Sequence, residues 1–132
     1  MKLTPQERQA IVYNRVQKSL KTWEEAKSII DSKLWYAAAN RMYYACYYMT
    51  SALLIKNNYQ ASTHAGVIRL FGQHFVSSEI IDIKFGRFYS KLFELRQSGD
   101  YDDWKLIEEK DILPLVEPAK EFLKILRILI DS

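Results

Sequence analysis

The most apolar stretch of the chain, from Leu34 to Ile55, is predicted to form a central helix. It contains five tyrosines, one tryptophan, a single charge at Arg41, and no glycine or proline. At about 100° per residue, its side chains separate into two opposite faces. The apolar face consists of Trp35, Ala38, Met42, Cys46, Met49 and Leu53. The polar face consists of Tyr36, Asn40, Tyr43, Tyr44, Tyr47 and Ser51, with Arg41 and Tyr48 on its flank. A helix that is apolar on almost every side belongs at the centre of a bundle.

The tyrosine side of this helix predicts a role beyond core packing. Each buried hydroxyl needs a hydrogen-bond partner, and one small core offers few of them. Aromatic residues with a polar end are enriched at protein interfaces. We therefore expect a homodimer that contacts its partner through Tyr43, Tyr44 and Tyr47. We also expect Arg41 to anchor the helix by meeting polar partners, because an unpaired buried charge costs several kcal/mol.

Capping residues and helical spacing predict one helix before the central helix in the sequence and one after it. Thr4 and Glu7 form a capping box around Pro5, and apolar residues then recur every three or four positions to residue 30. After the central helix, Ser62 or Thr63 can cap a third helix that ends at residues 77–78. Gly66 in its first turns indicates close backbone packing.

Two more helices complete the pattern. The fourth carries apolar residues at helical spacing between 85 and 95, and Gly99 is a suitable C-terminal cap. An acidic connection at 100–111 follows. The last helix is expected to begin at Asp111 and Pro114, with Pro118 either kinking it or marking its true start.

These elements predict an all-α fold, an up-and-down antiparallel bundle of about five helices in one domain over residues 1–132. Four glycines, three prolines and 48% hydrophobic residues favour a packed helical core and exclude a disordered chain. The single Cys46 excludes an internal disulfide framework and is interpreted as a buried apolar residue. The charge and tyrosines of the central helix argue against a membrane span. Without a signal-peptide pattern, a cytoplasmic location is expected.

The net charge of +3 is unevenly distributed along the chain. Residues 1–60 carry nine Lys/Arg and four Asp/Glu, residues 61–98 carry five and three, and residues 99–132 carry five and nine. This gradient has two interpretations. It is either a balanced helical surface or a basic RNA-facing side with an acidic end that contacts another chain.

Three blocks carry a resemblance to a known family: NRMYYACYYMTSALL at 40–54, STHAGVIRLFGQHFV at 62–76 and LRQSGDYDDW at 95–104. In this order they resemble the HEPN family, in particular its small stand-alone prokaryotic branch, over about residues 5–130. The resemblance implies a helical bundle, a homodimer and a gene pair with a minimal nucleotidyltransferase as toxin and antitoxin. It also implies a metal-independent endoribonuclease that uses an arginine and, after four to six residues, a histidine.

The sequence departs from the family at that histidine. The family arginine matches Arg96, but Tyr101 stands where the histidine is expected. Histidine suits acid–base chemistry because its ordinary pKa is about 6.5, whereas that of tyrosine is about 10. Arg96, Asp100 and Tyr101 would therefore bind phosphate without cutting or cut poorly. The alternative is a helix-end arginine paired with Asp100.

Five further residues are weighed as site candidates. Arg69 and His74 match the same spacing, but five positions on a helix turn side chains about 140° apart, so this match is interpreted as coincidence and His74 as a core histidine. His64 follows the cap of the third helix, where the helix N-terminus should lower its pKa and hold an anion nearby. The alternative is that His64 is only a neighbour of the capping residue. Arg41 and Tyr48 are expected to open onto the same polar groove as Arg96.

The sequence indicates no metal or cofactor. The acidic residues between 100 and 109 lack the ordered spacing and turn glycine of a calcium loop. No glycine-rich phosphate loop and no Cys/His zinc pattern is present. Two functions remain: a toxin-side, RNA-binding or weakly ribonucleolytic protein, and a non-catalytic dimer that serves only as an interaction module.

Overall fold

The computed structural model describes residues 2–101 and 106–132, without the side chains of Asp100 and Tyr101. Within these ranges the chain forms five α-helices and no β-strand. The helices are α1 (Pro5–Asp31), α2 (Trp35–Lys56), α3 (His64–Phe71), α4 (Ile83–Tyr101) and α5 (Glu109–Asp131). The central helix α2 contacts all four others. The predicted all-α bundle around α2 is confirmed.

The first two helices form an antiparallel pair, and the predicted capping box opens it. The Thr4 hydroxyl accepts a hydrogen bond from the Glu7 amide at 3.1 Å, and the Thr4 amide donates to the Glu7 carboxylate at 2.8 Å. Farther along, the buried Ser19 hydroxyl donates to the Ala45 carbonyl at 2.6 Å. This bond satisfies a polar group that would otherwise be stranded between α1 and α2.

The core lies where α2 meets α4 and α5, and aromatic rings fill much of it. Phe122 of α5 is fully buried, and its ring centroid lies 5.5–6.4 Å from four neighbouring rings. We call this group the Phe122 cluster; its members are Phe71, Phe85, Phe88, Tyr89 and Phe122. The apolar face of α2 is buried as predicted at Ala38, Met42, Cys46, Met49 and Leu53, while Trp35 is half-buried.

The fourth helix was predicted to end at Gly99, but it continues to Tyr101. Gly99 instead permits a close approach. A Cβ atom there would lie 2.5 Å from Cδ1 of Ile107 and 3.2 Å from Cε2 of Tyr36. Glycine at this half-buried position therefore leaves room for the side chains of Ile107 and Tyr36 rather than forming a left-handed turn. The residues at 102–105, where the acidic connection was predicted, lie outside the described residues.

The last helix begins at Glu109, earlier than predicted, and contains both Pro114 and Pro118. Each proline removes one backbone donor. The helix persists through them because its apolar stripe is buried against the core. The buried residues are Ile112, Leu115, Ala119, Phe122, Leu123, Leu126 and Ile130. Pro118 is thus not the start of the helix.

The third helix is short and runs into a π-helical turn at Gly72–Val76. Thr63 caps it by accepting a hydrogen bond from the Gly66 amide at 2.9 Å. A Cβ atom at Gly66 would lie only 2.9 Å from the Thr63 Oγ1 atom, so the glycine makes room for the capping side chain rather than for a neighbouring backbone. In the part of the chain that the structure describes, no helix has the length and apolar character needed to span a bilayer.

Candidate functional site

Three half-buried tyrosines line one side of α2 and form the base of the candidate site. Tyr44, Tyr47 and Tyr48 lie three and four residues apart, so they share one face of the helix. Their ring centroids are 5.7–6.0 Å apart. We call these three residues the tyrosine platform. Tyr43 packs beside the platform and is fully buried.

His64, the first residue of α3, lies against this platform. Its ring stacks on Tyr47 with a centroid distance of 4.5 Å and an interplanar angle of 13°. The His64 Nδ1 atom is hydrogen-bonded to the Tyr43 hydroxyl at 2.6 Å. The Thr63 cap fixes where α3 begins, and Tyr43 then fixes the orientation of the imidazole. Nε2 is left as the ring nitrogen with no hydrogen bond to the described residues.

The surroundings keep this imidazole neutral. Burial lowers the pKa of His64, and the positive charge of Arg96 lowers that pKa further. The direction agrees with the sequence prediction, and its causes are burial and Arg96. Burial also raises the pKa of Tyr43, so its hydroxyl stays protonated. That hydroxyl can donate to Nδ1, and a neutral His64 then carries its proton on Nε2.

Arg96 of α4 reaches the same tyrosines. Its guanidinium carbon lies 5.5 Å from the ring centroid of Tyr43 and 5.3 Å from that of Tyr44. Its Nη2 atom donates to the Tyr44 hydroxyl at 3.3 Å. Cation–π contacts of this kind help to hold a guanidinium in place. Arg96 is therefore held on the tyrosines beside His64, and its positive charge lowers the pKa of that residue.

The structure thus brings together three helices and three kinds of group. Arg96 from α4 and His64 from α3 both contact Tyr43 and Tyr44 of α2. A guanidinium can bind a phosphate oxygen, an imidazole N–H can donate a second hydrogen bond, and tyrosine rings can stack on bases. Sequence reasoning named Arg96 and His64 but missed their contacts with Tyr43, which only the packing of α3 on α2 reveals.

Arg41 meets polar partners as predicted, but its side chain is not buried. Its side chain is 33% exposed, and its Nη1 atom lies 3.8 Å from the half-exposed Glu25 carboxylate. Its Nε and Nη2 atoms donate to Asn40 Oδ1 at 3.2 and 2.9 Å. The guanidinium carbon does lie 5.4 Å from the Tyr44 ring centroid, so Arg41 flanks the platform. A turn away, the cation over Tyr48 is Lys18, at 4.7 Å, rather than Arg41.

The predicted dimer residues differ in their surroundings. Tyr43 has no exposed surface, so it cannot contact a second chain directly, contrary to expectation. Its hydroxyl is satisfied within the chain by His64. Tyr44 and Tyr47 keep exposed surface that a partner could cover. Of the other predicted site residues, the side chains of Asp100 and Tyr101 lie outside the described residues.

Other candidates do not join this site. His74 stacks on Tyr59 with a centroid distance of 3.8 Å, while Arg69 is exposed elsewhere on the helix, so the alternative spacing match brings nothing together. Cys46 is fully buried, and burial raises the pKa of its thiol. Among the described residues, no three His, Cys, Asp or Glu side chains cluster as metal ligands would.

Comparison with known proteins places this site in context. The family model of the HEPN domain matches residues 12–129. A relative from Thermotoga maritima, named UPF0332 protein, is 33% identical over 109 residues, or 83% of each chain. A relative from Methanocaldococcus jannaschii, described as a candidate toxin, is 39% identical over 85 residues, or 64% of this chain and 63% of the relative. A second candidate toxin from that organism is 25% identical over 108 residues, covering 82% and 74% of the two chains.

Proposed function

The chain belongs to the HEPN domain family, and from that premise we propose that it is the toxin-side, RNA-binding member of a toxin–antitoxin pair. We further propose that it cleaves RNA slowly without a metal ion. The single observation that carries this proposal is the convergence of Arg96 and His64 on Tyr43 and Tyr44. Relatives described as candidate toxins support the biological setting.

Arg96 and His64 together suit a single phosphodiester. The guanidinium supplies fixed positive charge and can grip two phosphate oxygens. The Nε2–H group of His64 can donate a hydrogen bond to a third oxygen. The half-buried rings of Tyr44 and Tyr47 offer π faces to the adjoining bases, a mode of single-strand recognition that tolerates different sequences.

The proposed cleavage is an internal transesterification. The ribose 2′-oxygen loses its proton and bonds to phosphorus, while the P–O5′ bond breaks and O5′ gains a proton. The products are a 2′,3′-cyclic phosphate and a 5′-hydroxyl. Arg96 stabilises the charge on the phosphorane, and the neutral His64 donates a hydrogen bond from Nε2 to one of its oxygens. A neutral imidazole is too weak an acid to give up this proton. Water must therefore both accept the 2′-hydroxyl proton and protonate O5′, and cleavage should be slow.

The test is cleavage of total RNA in excess chelator. The wild-type protein should leave 2′,3′-cyclic phosphate ends, and Arg96→Ala should slow the reaction by about 10²- to 10³-fold. His64→Ala should slow it by about 10²-fold. Arg127→Ala removes an exposed arginine of α5 that pairs with Asp131, and serves as the matched control. Wild-type and Arg96→Ala proteins with equal RNA binding and cleavage would refute the proposal.

We also propose two partners. The first is a minimal nucleotidyltransferase that acts as the antitoxin, as the family resemblance implies. Its coding frame should lie beside this gene, and its co-expression should relieve any growth arrest caused by the chain alone. The second partner is another copy of this chain, which would contact the exposed edges of Tyr44 and Tyr47. Light scattering that shows only monomer would contradict the homodimer.

The alternative is a non-catalytic dimer that acts only as an interaction module. It is favoured by the departure from the family pattern at Tyr101. In that case RNA should remain intact and unbound, while the complex with the nucleotidyltransferase still forms. If RNA were bound but not cleaved, the proposed binding site at Arg96 would stand and the proposed cleavage would be wrong.

A further inference from the structure

A second surface, which carries several cations, lies between α3, its π-helical turn and α4; its lining also includes the apolar residues Ile68, Phe71, Val76 and Ile83. There the two helices enclose an open cleft of about 540 Å³. Its cationic lining residues are Arg69, Arg87 and Lys91, and its one acidic lining residue is Glu94. Gln73, Ser77 and Ser90 add uncharged polar groups. We call this region the basic cleft.

The three cations of the basic cleft are available to a ligand. Arg69, Arg87 and Lys91 are all exposed. No ion pair joins any of them to the carboxylates of the described residues. Lys84 of α4, by contrast, pairs with Glu121 at 3.3 Å. Three uncommitted cations on one concave surface favour a ligand with several negative charges.

The backbone keeps the cleft open at one point and closed at another. Gly72 begins the π-helical turn, and a Cβ atom placed there would meet nothing within 4 Å, so this position faces open space. At Gly86 a Cβ atom would lie 3.2 Å from Val76 Cγ2, so glycine lets α4 approach the turn closely. π-Helical turns are rare and occur frequently at functional sites.

The cleft and the proposed cleavage site share α4. Lys91 precedes Arg96 by five residues and Arg87 precedes it by nine, which is about 7.5 and 13.5 Å along the helix. At about 100° per residue, their side chains point about 140° and 180° away from that of Arg96, and Arg69 likewise points about 140° away from His64 on α3. A strand held by one phosphate at Arg96 and His64 would therefore reach the basic cleft by crossing the edge of α3 or α4.

We propose that the basic cleft binds the phosphate backbone of single-stranded RNA on one side of the cleaved bond. This inference rests on the proposed function, because it assigns the flanking part of the same substrate. Arg87 and Lys91 each neutralise one phosphate, and Arg69 neutralises another from α3. The cleft reads charge and not sequence, since its cations contact phosphates and not base edges.

The test compares two double variants that remove the same number of exposed cations. Arg87→Gln with Lys91→Gln removes two from the cleft, whereas Lys21→Gln with Lys124→Gln removes two from α1 and α5. The probe is a labelled single-stranded RNA in chelator, titrated between about 50 and 200 mM salt. The cleft variant should bind about tenfold more weakly, and its salt slope should fall by about 1.4, since each single-strand phosphate contact contributes about 0.7. The control variant should match the wild type.

A third variant tests the shape of the cleft without removing a cation. Gly72→Glu places a carboxylate where the structure has open space, in a backbone conformation that any residue adopts. It should weaken RNA binding while the unfolding midpoint stays unchanged. A dinucleotide offers only one phosphodiester, so its cleavage should be the same in the wild type and in both cleft variants.

The outcomes separate the two proposals. Equal RNA affinity and salt slope in the wild type and the cleft variant would overturn the basic cleft, while a defect of Arg96→Ala would still support the cleavage site. If the cleft variant bound RNA normally but lost the nucleotidyltransferase, the cleft would be a protein-docking surface and this inference would be wrong. A wild-type protein that bound no RNA would overturn both proposals.

Discussion

The molecule contains two aromatic groups that meet at Tyr43 and Tyr89, whose ring centroids are 6.1 Å apart. On one side lies the Phe122 cluster, which is buried and, except for Tyr89, has no polar atoms in its side chains. On the other lies the tyrosine platform, which is half-buried and in contact with Arg96 and His64. The distances between ring centroids are similar in the two groups. The groups differ in their polar atoms and in their access to solvent. The first group can therefore stabilise the fold, whereas the second can bind a ligand.

This comparison assigns stability to one group and ligand binding to the other. Apolar rings enclosed by other rings contribute through burial and packing. Half-buried rings that hold a guanidinium and an imidazole contribute less burial but fix the geometry of the two groups that we propose to bind phosphate. Stability and ligand binding should therefore change separately when the two groups are substituted.

The largest effect is expected in the core. Phe122→Ala removes a fully buried ring with four aromatic neighbours and should lower the free energy of unfolding by about 3–5 kcal/mol. Urea denaturation measures this loss. Ile128→Ala, at an exposed position of the same helix, should change the free energy by less than about 0.5 kcal/mol. A loss below about 1 kcal/mol at Phe122 would break the assignment of stability to this cluster.

A matched pair of hydroxyl deletions tests the boundary between the two groups. Tyr43→Phe removes the hydroxyl bonded to His64 and should cost about 1 kcal/mol of stability and slow RNA cleavage. Tyr89→Phe removes a buried hydroxyl that has no hydrogen bond of good geometry but interacts with the hydroxyls of Thr50 and Tyr43. That change should cost less than about 1 kcal/mol, with RNA cleavage unchanged. Equal costs in the two variants would show that the bond to His64 contributes nothing specific.

The protonation of His64 predicts a pH dependence of stability. Burial and Arg96 lower its folded-state pKa below the unfolded value of about 6.5, so the unfolded chain binds more protons in that interval. This contribution is fully present above pH 6.5 and is lost as the pH falls through the folded-state pKa. In urea melts, His64→Gln should lose part of the acid sensitivity of the wild type. His74→Gln, which retains His64, should keep it; identical profiles for both variants would contradict the assignment.

The smallest effect is expected at Arg41. Because its side chain is partly exposed and its ion pair with Glu25 is long, Arg41→Ala should lower the free energy of unfolding by less than about 1 kcal/mol. RNA binding should weaken only a few-fold, since Arg96 remains on Tyr44. A decrease in the free energy of unfolding above about 2 kcal/mol would instead support the sequence prediction that Arg41 anchors the helix through buried partners.

The helices could be predicted from the sequence because their signals are local. Thr4 and Glu7 mark a helix start by themselves, and the apolar stripe of α5 is legible even with two prolines inside it. Gly99 was misinterpreted because its role depends on Ile107 and Tyr36, which only the folded chain brings near. Arg41 looked buried in a helix of apolar residues, but the packing of the other helices leaves that flank open. The meeting of His64 with Arg96 likewise depends on how α3 and α4 pack on α2, which no spacing along the chain encodes.

The central claim is that Arg96 and His64 bind one RNA phosphodiester on the tyrosine platform, and imidazole nitrogen NMR tests it directly. The chain has two histidines, so His74 serves as an internal reference. The probe is an RNA whose central ribose lacks the 2′-hydroxyl and therefore cannot be cleaved there. We predict that free His64 carries its proton on Nε2, that its Nε2 resonance shifts on adding the RNA while those of His74 do not, and that Arg96→Ala abolishes the shift. Unchanged His64 resonances at saturating RNA would contradict the account.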